Sequence, residues 1–130
     1  MSEKYPCAAG SPAAARRFAR RNLTQMLGES AGADAAIADA EIIVSELLTN
    51  AINAWCDSTE LRLSARDDLV RIEVHDDAGG EPRQRRPDHD DQHGRGLMIV
   101  SALAHEWGFE RYGRGKRVWA ELFVRAPRTA

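Results

Sequence analysis

The sequence predicts an α+β fold in which helices cover one face of an antiparallel or mixed sheet. Two segments with helical periodicity come first, and apolar residues then recur at every second position in two pairs of short segments. One more helical segment separates the two pairs. Because hairpins build a sheet and the helices are segregated from it, a two-layer α/β sandwich is expected.

The length and net charge of the chain limit the classes of protein to which it can belong. Its 130 residues are the size of one domain, so residues 1–130 are expected to share one core. Eighteen basic and twenty acidic residues leave a net charge of -2, too little to attract the whole chain to nucleic acid or to an anionic membrane. No segment has the roughly 18 apolar residues of a membrane span, and the N-terminus lacks a signal-peptide core. A cytoplasmic protein without a nucleic-acid or membrane partner is expected.

The N-terminal segment gives little structural signal. Residues 1–10 mix Pro, Gly and Ala without periodicity, and we expect them to be flexible. Cys7 and Cys56 match no metal-ligand spacing and no disulfide framework.

Two helices are expected next. Ser11 is suited to an N-cap, and the first helix is predicted from Pro12 to Leu27. The second is predicted from Asp34 to about Trp55. Its apolar residues fall within one arc of about 100° that should face the core: Ile37, Ala40, Val44, Leu47, Leu48, Ala51 and Trp55.

The rest of the chain alternates between strands and one helix. A third helix is predicted from about Arg95 to His105, after a long loop without periodicity. Loops of that length in compact domains are usually functional or disordered. Four strands are predicted as two hairpins: around Leu63, around Ile72, at Trp107–Tyr112 and at Arg117–Val124.

A polar stripe lies opposite the apolar stripe of the second helix. Glu46, Asn50 and Asn53 are spaced i, i+4, i+7 and therefore share one face. The plainest interpretation is a solvated helix face. The alternative is a chemical site, because an Asn amide oxygen can bind Mg²⁺ and a nearby carboxylate can accept a proton.

The long loop is rich in glycine at both edges. It opens with Asp76-Asp77-Ala78-Gly79-Gly80 and closes with His93-Gly94-Arg95-Gly96-Leu97 at a helix start. Glycines let the backbone approach a ligand, and free N–H groups at a helix start favour phosphate, with Arg95 as an added cation. An ordinary surface loop is the alternative. A further alternative is a transition-metal site formed by the imidazoles and carboxylates of residues 88–93.

Three segments together resemble a known family. SELLTNA (Ser45–Ala51), VHDDAGG (Val74–Gly80) and HGRGLMIV (His93–Val100) resemble the three ATP-binding boxes of the GHKL ATPase/kinase superfamily. The resemblance is strongest to its small anti-sigma factor serine/threonine kinases. GKRVWAEL (Gly115–Leu122) is similar to the closing strand of actinobacterial members, and the resemblance covers nearly all the chain from Pro12 onward.

The resemblance implies roles for single residues. Glu46 matches the general base and Asn50 the Mg²⁺ ligand. Asp76 matches the aspartate that accepts a hydrogen bond from the adenine amino group, and residues 77–93 would form a lid over the nucleotide. The resemblance implies that six further residues bind the nucleotide. Asn53 belongs to the polar stripe, and Gly80 lies beside the base. The phosphate-cradling turn and the residue after it are Gly94, Arg95, Gly96 and Leu97.

The implied function is that of an ATP- and Mg²⁺-dependent protein serine/threonine kinase and anti-sigma factor. Its partners would be an anti-sigma factor antagonist, a sigma factor and a second copy of the chain. The alternative is a catalytically weak or inactive nucleotide-binding module that regulates by sequestering a partner. Three positions depart from the family pattern: Ala78 replaces a glycine, Ala54 replaces a frequent His, and Arg117 stands where many relatives have a Thr that helps hold the nucleotide.

Overall fold

The computed structural model describes residues 1–77 and 96–124. Within these ranges, three helices and five strands form the α+β fold that the sequence predicts. In chain order they are β1 (Ser2–Pro6), α1 (Ser11–Leu27), α2 (Ala33–Asn53), β2 (Ser58–Arg66), β3 (Leu69–Asp76), α3 (96–103), β4 (Glu106–Tyr112) and β5 (Gly115–Phe123).

The five strands form one antiparallel sheet in the order β1-β2-β3-β5-β4. Leu61 lies opposite Val74, and Val74 lies opposite Val118, so apolar side chains of the three central strands share one face. Residues two apart on a strand point to the same side, and this register therefore aligns every second residue of β2, β3 and β5. That face of the sheet forms one side of the hydrophobic core.

The long helix α2 supplies most of the opposing surface. Its predicted apolar stripe is buried over six positions, and Phe18 and Leu23 of α1 join it. Side chains of this size contribute about 1.5–3 kcal/mol each when fully buried. The buried stripe consists of Ile37, Ala40, Val44, Leu47, Leu48 and Ala51.

The seventh residue of that stripe departs from the prediction. Helix α2 ends at Asn53, and Trp55 has a φ of 65° and a side chain that is 75% exposed. The left-handed turn that leads the chain into β2 rotates Trp55 away from the core. The start of α1 is also different, because Gly10 is the N-cap residue and the Ser11 hydroxyl donates to the Pro6 carbonyl at 2.5 Å.

The N-terminal segment is ordered, contrary to the expectation for residues 1–10. Strand β1 pairs with β2, with Tyr5 opposite Thr59. Just after β1, Cys7 forms a disulfide with Cys56, with the two Cα atoms 5.8 Å apart. Both expectations failed because pairing with β2 brings distant residues together, which local sequence patterns do not reveal.

The second face of the sheet is polar. Arg71 Nε donates to a Glu73 oxygen at 2.7 Å, and His75 Nε2 lies 2.9 Å from the other oxygen of that carboxylate. Arg71 also binds Glu121 at 2.9 Å and stacks over the Trp119 ring. Burial favours a raised pKa for Glu73, but the hydrogen bonds from Arg71 and His75 outweigh it and lower the pKa. This network gives the uncovered face of the sheet a charged, partly buried surface.

None of the described helices is both long and apolar enough to cross a membrane.

Candidate functional site

The polar stripe of α2 borders a cleft that α3 closes from the other side. Glu46, Asn50 and Asn53 line it from α2, and Gly96 and Leu97 line it from α3. Its cavity volume is about 20 Å³, enough for a water molecule or an ion. The structure therefore brings together five of the residues singled out from the sequence, although they come from segments more than forty positions apart.

Glycine at position 96 makes room for the Glu46 carboxylate. A Cβ built on Gly96 would lie 2.9 Å from Glu46 Oε2, closer than side chains normally approach. The carboxylate therefore rests directly against the described beginning of α3. Glu46 is half-buried, so its oxygens are held in the cleft but can still be reached by a ligand.

Asn50 contributes a buried side-chain oxygen to the cleft. Its Oδ1 atom is buried and has no hydrogen bond to any of the described residues. A buried amide oxygen without a partner carries an energetic cost, so such atoms call for an explanation. Amide and carboxylate oxygens are ligands that Mg²⁺ accepts, and the donor set of Asn50 with Glu46 nearby fits this ion.

Two side-chain contacts join helix α1 to α2. Arg16 Nη1 of α1 donates to the Ser45 hydroxyl at 2.9 Å, and Ser45 directly precedes Glu46. One turn further along α1, Arg20 forms an ion pair with Glu41 at 3.6 Å. These contacts attach α2 to α1 through Glu41 and Ser45.

Asp76 lies at the end of β3 on the face that the helices cover. It follows Val74 on that face, and its side chain is 1% exposed. Lys116 stands directly opposite on β5, with Nζ 3.3 Å from Asp76 Oδ2. Thr59 is opposite on β2, where its hydroxyl donates to the His75 carbonyl at 2.9 Å.

Two further contacts define this edge of the sheet. A Cβ on Gly115 would collide with the Asp76 carbonyl oxygen, so the start of β5 can approach the end of β3 only without a side chain. Asp77 Oδ1 accepts hydrogen bonds from the backbone N–H groups of Asp57 and Ser58, at 2.9 and 3.1 Å. The last turn of α2 leads into these same residues, so Asp76 and the Asn53 end of the cleft lie at the same edge.

Asp77 is the first residue of the predicted lid, and it is anchored. Slight burial favours a raised pKa for its carboxyl, but the hydrogen bonds from Ser58 and Asp57 prevail and lower the pKa. The rest of the predicted lid, 78–93, lies outside the described residues. So do Ala78, Gly80, Gly94 and Arg95, together with the alternative metal cluster at 88–93.

Strand β5 corrects the role expected for position 117. Arg117 points to the uncovered face, where it pairs with Glu110 and lies 3.9 Å from Glu73. Lys116, not Arg117, faces Asp76. The alternation of Val118, Ala120 and Leu122 in the sequence carried this information, because even-numbered residues of β5 must share the core face. Lys116 and Thr59 are thus the two neighbours of Asp76 that sequence reasoning missed.

Within residues 1–77 and 96–124, no group of three or more His, Cys, Asp and Glu side chains is arranged to hold a metal ion. A transition-metal centre built from such ligands is therefore not found in the described part of the chain. The Mg²⁺ prediction does not require one, because Mg²⁺ keeps several waters and is usually held by one or two protein oxygens together with substrate phosphates.

Comparisons with known proteins agree with this fold. No curated protein matches the sequence significantly. Among solved structures, the histidine kinase domain of the blue-light activated histidine kinase of Erythrobacter litoralis is similar, with a TM-score of 0.54 and 21% sequence identity. The match covers 92% of this chain and 61% of that domain, so the chain spans less than two thirds of it. The family described as the histidine kinase-like ATPase domain matches residues 8–122. The chain therefore belongs to the histidine kinase-like ATPase domain family.

Proposed function

We propose that this chain binds ATP with Mg²⁺ and transfers the γ-phosphoryl group to a serine or threonine hydroxyl of a partner protein. The partner class that the sequence resemblance favours is an anti-sigma factor antagonist. The same chain would act as an anti-sigma factor by binding a sigma factor, as a homodimer in the cytoplasm. Membership of the histidine kinase-like ATPase domain family supports the nucleotide-binding part of this proposal.

One observation carries the proposal: Glu46 lines the same cleft as the buried Oδ1 of Asn50, one helical turn away, and that oxygen has no hydrogen-bond partner among the described residues. The proposed Mg²⁺ ligand is Asn50, through that oxygen. When bound, Mg²⁺ lowers the charge that develops on the phosphates during phosphoryl transfer. Asp76, at the same edge of the sheet, would accept a hydrogen bond from the adenine amino group.

In this scheme the protein provides positioning and one proton acceptor. The bond from the γ-phosphorus to the β–γ bridging oxygen of ATP breaks, so that ADP leaves with that oxygen, and a bond from phosphorus to the partner's hydroxyl oxygen forms. Glu46 accepts the proton of that hydroxyl. Its carboxylate is suited to this role because Gly96 leaves space beside it and because it is half-buried but reachable. General-base catalysis contributes about 10²–10⁴-fold to a rate.

The test is a single-turnover phosphoryl-transfer assay with labelled ATP and candidate antagonist proteins from the same genome. Glu46→Gln should lower the transfer rate about 100-fold or more, while the Kd for Mg-ATP changes only slightly. Glu41→Gln is a matched control on the same helix, because Glu41 pairs with Arg20 on the surface. Unchanged transfer in Glu46→Gln would contradict the role of Glu46.

The second candidate function is nucleotide binding without turnover, in which the chain regulates a partner by sequestering it. It needs the same cleft, and Glu46 would then only line the cleft without acting as a base. Binding of Mg-ATP without transfer to any candidate antagonist would support this second function over the kinase.

A further inference from the structure

The end of β3 and the start of β5 carry a charge pair of which the proposed function uses only Asp76. Lys116 Nζ lies 3.3 Å from Asp76 Oδ2, and the two residues are directly opposite in the strand register. The Asp76 side chain is 1% exposed and that of Lys116 is 21% exposed. Lys116 is therefore the member of the pair that faces the solvent, and a ligand arriving from that side meets its ammonium group.

The two side chains offer opposite hydrogen-bonding functions. An ionised carboxylate only accepts hydrogen bonds, whereas an ammonium group only donates them. A pocket with the carboxylate alone suits a purine whose 6-position is an amino group, because that group donates. The same pocket rejects a 6-oxopurine, since the carbonyl oxygen would face the carboxylate without a donor.

The pair removes this discrimination. With adenine, the 6-amino group donates to Asp76 and N1 accepts from Lys116. Hypoxanthine or guanine must shift within the site, so that N1–H donates to Asp76 and the 6-oxo group accepts from Lys116. In both cases the groups at N1 and C6 of the base have a partner, and unsatisfied polar groups are what make a hydrogen-bonding site selective.

We infer that Lys116 determines base selectivity, so that this pocket binds 6-oxopurine nucleotides as well as adenine nucleotides. The inference rests on the proposed function, because it assumes that the base of a nucleotide reaches Asp76. It goes beyond that function by naming a residue and a wider class of ligand.

Position 117 provides a matched control on the same strand. Arg117 is the next residue, also carries a positive charge and is similarly exposed, but it faces the opposite side and pairs with Glu110 and Glu73. Removing its charge changes the net charge of the protein by the same amount as removing that of Lys116. A general electrostatic effect on nucleotide binding would therefore appear in both variants.

The experiment measures Kd by titration for the Mg²⁺ complexes of ATP, inosine triphosphate and GTP. In the unaltered protein, we expect inosine triphosphate to bind within about tenfold of ATP. Lys116→Met should weaken inosine triphosphate and GTP about tenfold or more relative to ATP. Lys116→Arg, which keeps the donor, and Arg117→Met should leave the ratio unchanged.

Several outcomes would overturn the inference. Rejection of inosine triphosphate by the unaltered protein, with ATP still bound, would overturn it while leaving the proposed function intact. An unchanged ratio in a folded Lys116→Met variant would do the same. The comparison in the unaltered protein needs no variant, so it decides even if Lys116→Met fails to fold. If no nucleotide binds, both the inference and the proposed function are wrong.

Discussion

Gly96 and Glu46 are in such close contact that a single added methyl group would force one of them to move. A Cβ at position 96 would lie 2.9 Å from Glu46 Oε2. The atom it meets is the far end of a flexible side chain, so the backbone need not shift. This contact makes it possible to disturb the proposed base without touching Glu46 itself.

Gly96→Ala should therefore separate stability from activity. Alanine favours a helix over glycine by about 0.5–1 kcal/mol, so the thermal midpoint should stay level or rise. Phosphoryl transfer should fall about tenfold or more, because the Glu46 carboxylate is displaced in the cleft. Gly10→Ala is the control, since no atom lies within 4 Å of a Cβ at that position. Full activity in Gly96→Ala would argue against the role given to this contact.

The Cys7–Cys56 disulfide should contribute measurably to stability. The cysteines are 49 residues apart in sequence. Disulfides that close loops of this length typically stabilise by about 2–4 kcal/mol, mainly by restricting the unfolded chain. Denaturant unfolding with and without reductant should show a loss of this size. The double variant Cys7→Ala, Cys56→Ala should be as unstable as the reduced protein and should not respond to reductant.

A reductant-independent unfolding free energy in the unaltered protein would mean that the disulfide does not form in solution. The experiment also tests the fold at the N-terminus. Because Cys7 follows β1 and its N–H donates to the Asp57 carbonyl at 3.2 Å, reduction should loosen β1 first. Hydrogen exchange of residues 2–6 should then accelerate more than that of the central strands.

Much of the fold could be predicted because its apolar pattern is strong. The stripe of α2 runs along a 21-residue helix and fixes which side faces the core. The site residues Glu46 and Asn50 follow from this, since they lie opposite the stripe. Their meeting with Gly96 could be proposed only from a family resemblance, because no local pattern places α3 beside α2.

The failures share a physical cause, which is that tertiary contacts decided the outcome. Strand β1 is five residues long and mostly exposed, and it exists through pairing with β2. Trp55 left the predicted stripe because the helix ends at Asn53 and Trp55 itself has a left-handed backbone conformation. Position 117 shows a local effect instead: successive residues of β5 point to opposite faces, so Lys116 faces Asp76 and Arg117 faces away from it.

The polar face of the sheet should make stability depend on pH. The pKa of Glu73 is lowered below its ordinary value of 4.5, because hydrogen bonds from Arg71 and His75 outweigh its burial. Its stabilising contribution is therefore complete above pH 4.5 and is lost as the pH falls through the folded-state pKa. Glu73→Gln should lower the unfolding free energy at pH 7 and flatten its decline below pH 4.5.

The measurement is urea unfolding between pH 3 and pH 7 for both proteins. The curves should converge in acid, because the Glu73 carboxyl of the unaltered protein is then protonated and, like the Gln amide of the variant, carries no charge. The pKa of Asp77 is also lowered, so the variant Asp77→Asn shows how much of the acid-dependent loss of stability comes from Asp77. A constant difference between the unaltered protein and Glu73→Gln at all pH values would contradict the assignment.

The most direct test of the nucleotide site is thermal unfolding with and without Mg-ATP, in the unaltered protein and in Asp76→Asn. A ligand at about one hundred times its Kd stabilises by about 2.7 kcal/mol, which raises the midpoint of a domain this size by roughly 10 °C. We expect this rise in the unaltered protein and little or none in Asp76→Asn. No rise in the unaltered protein at millimolar Mg-ATP would contradict the central claim that the cleft is a nucleotide site.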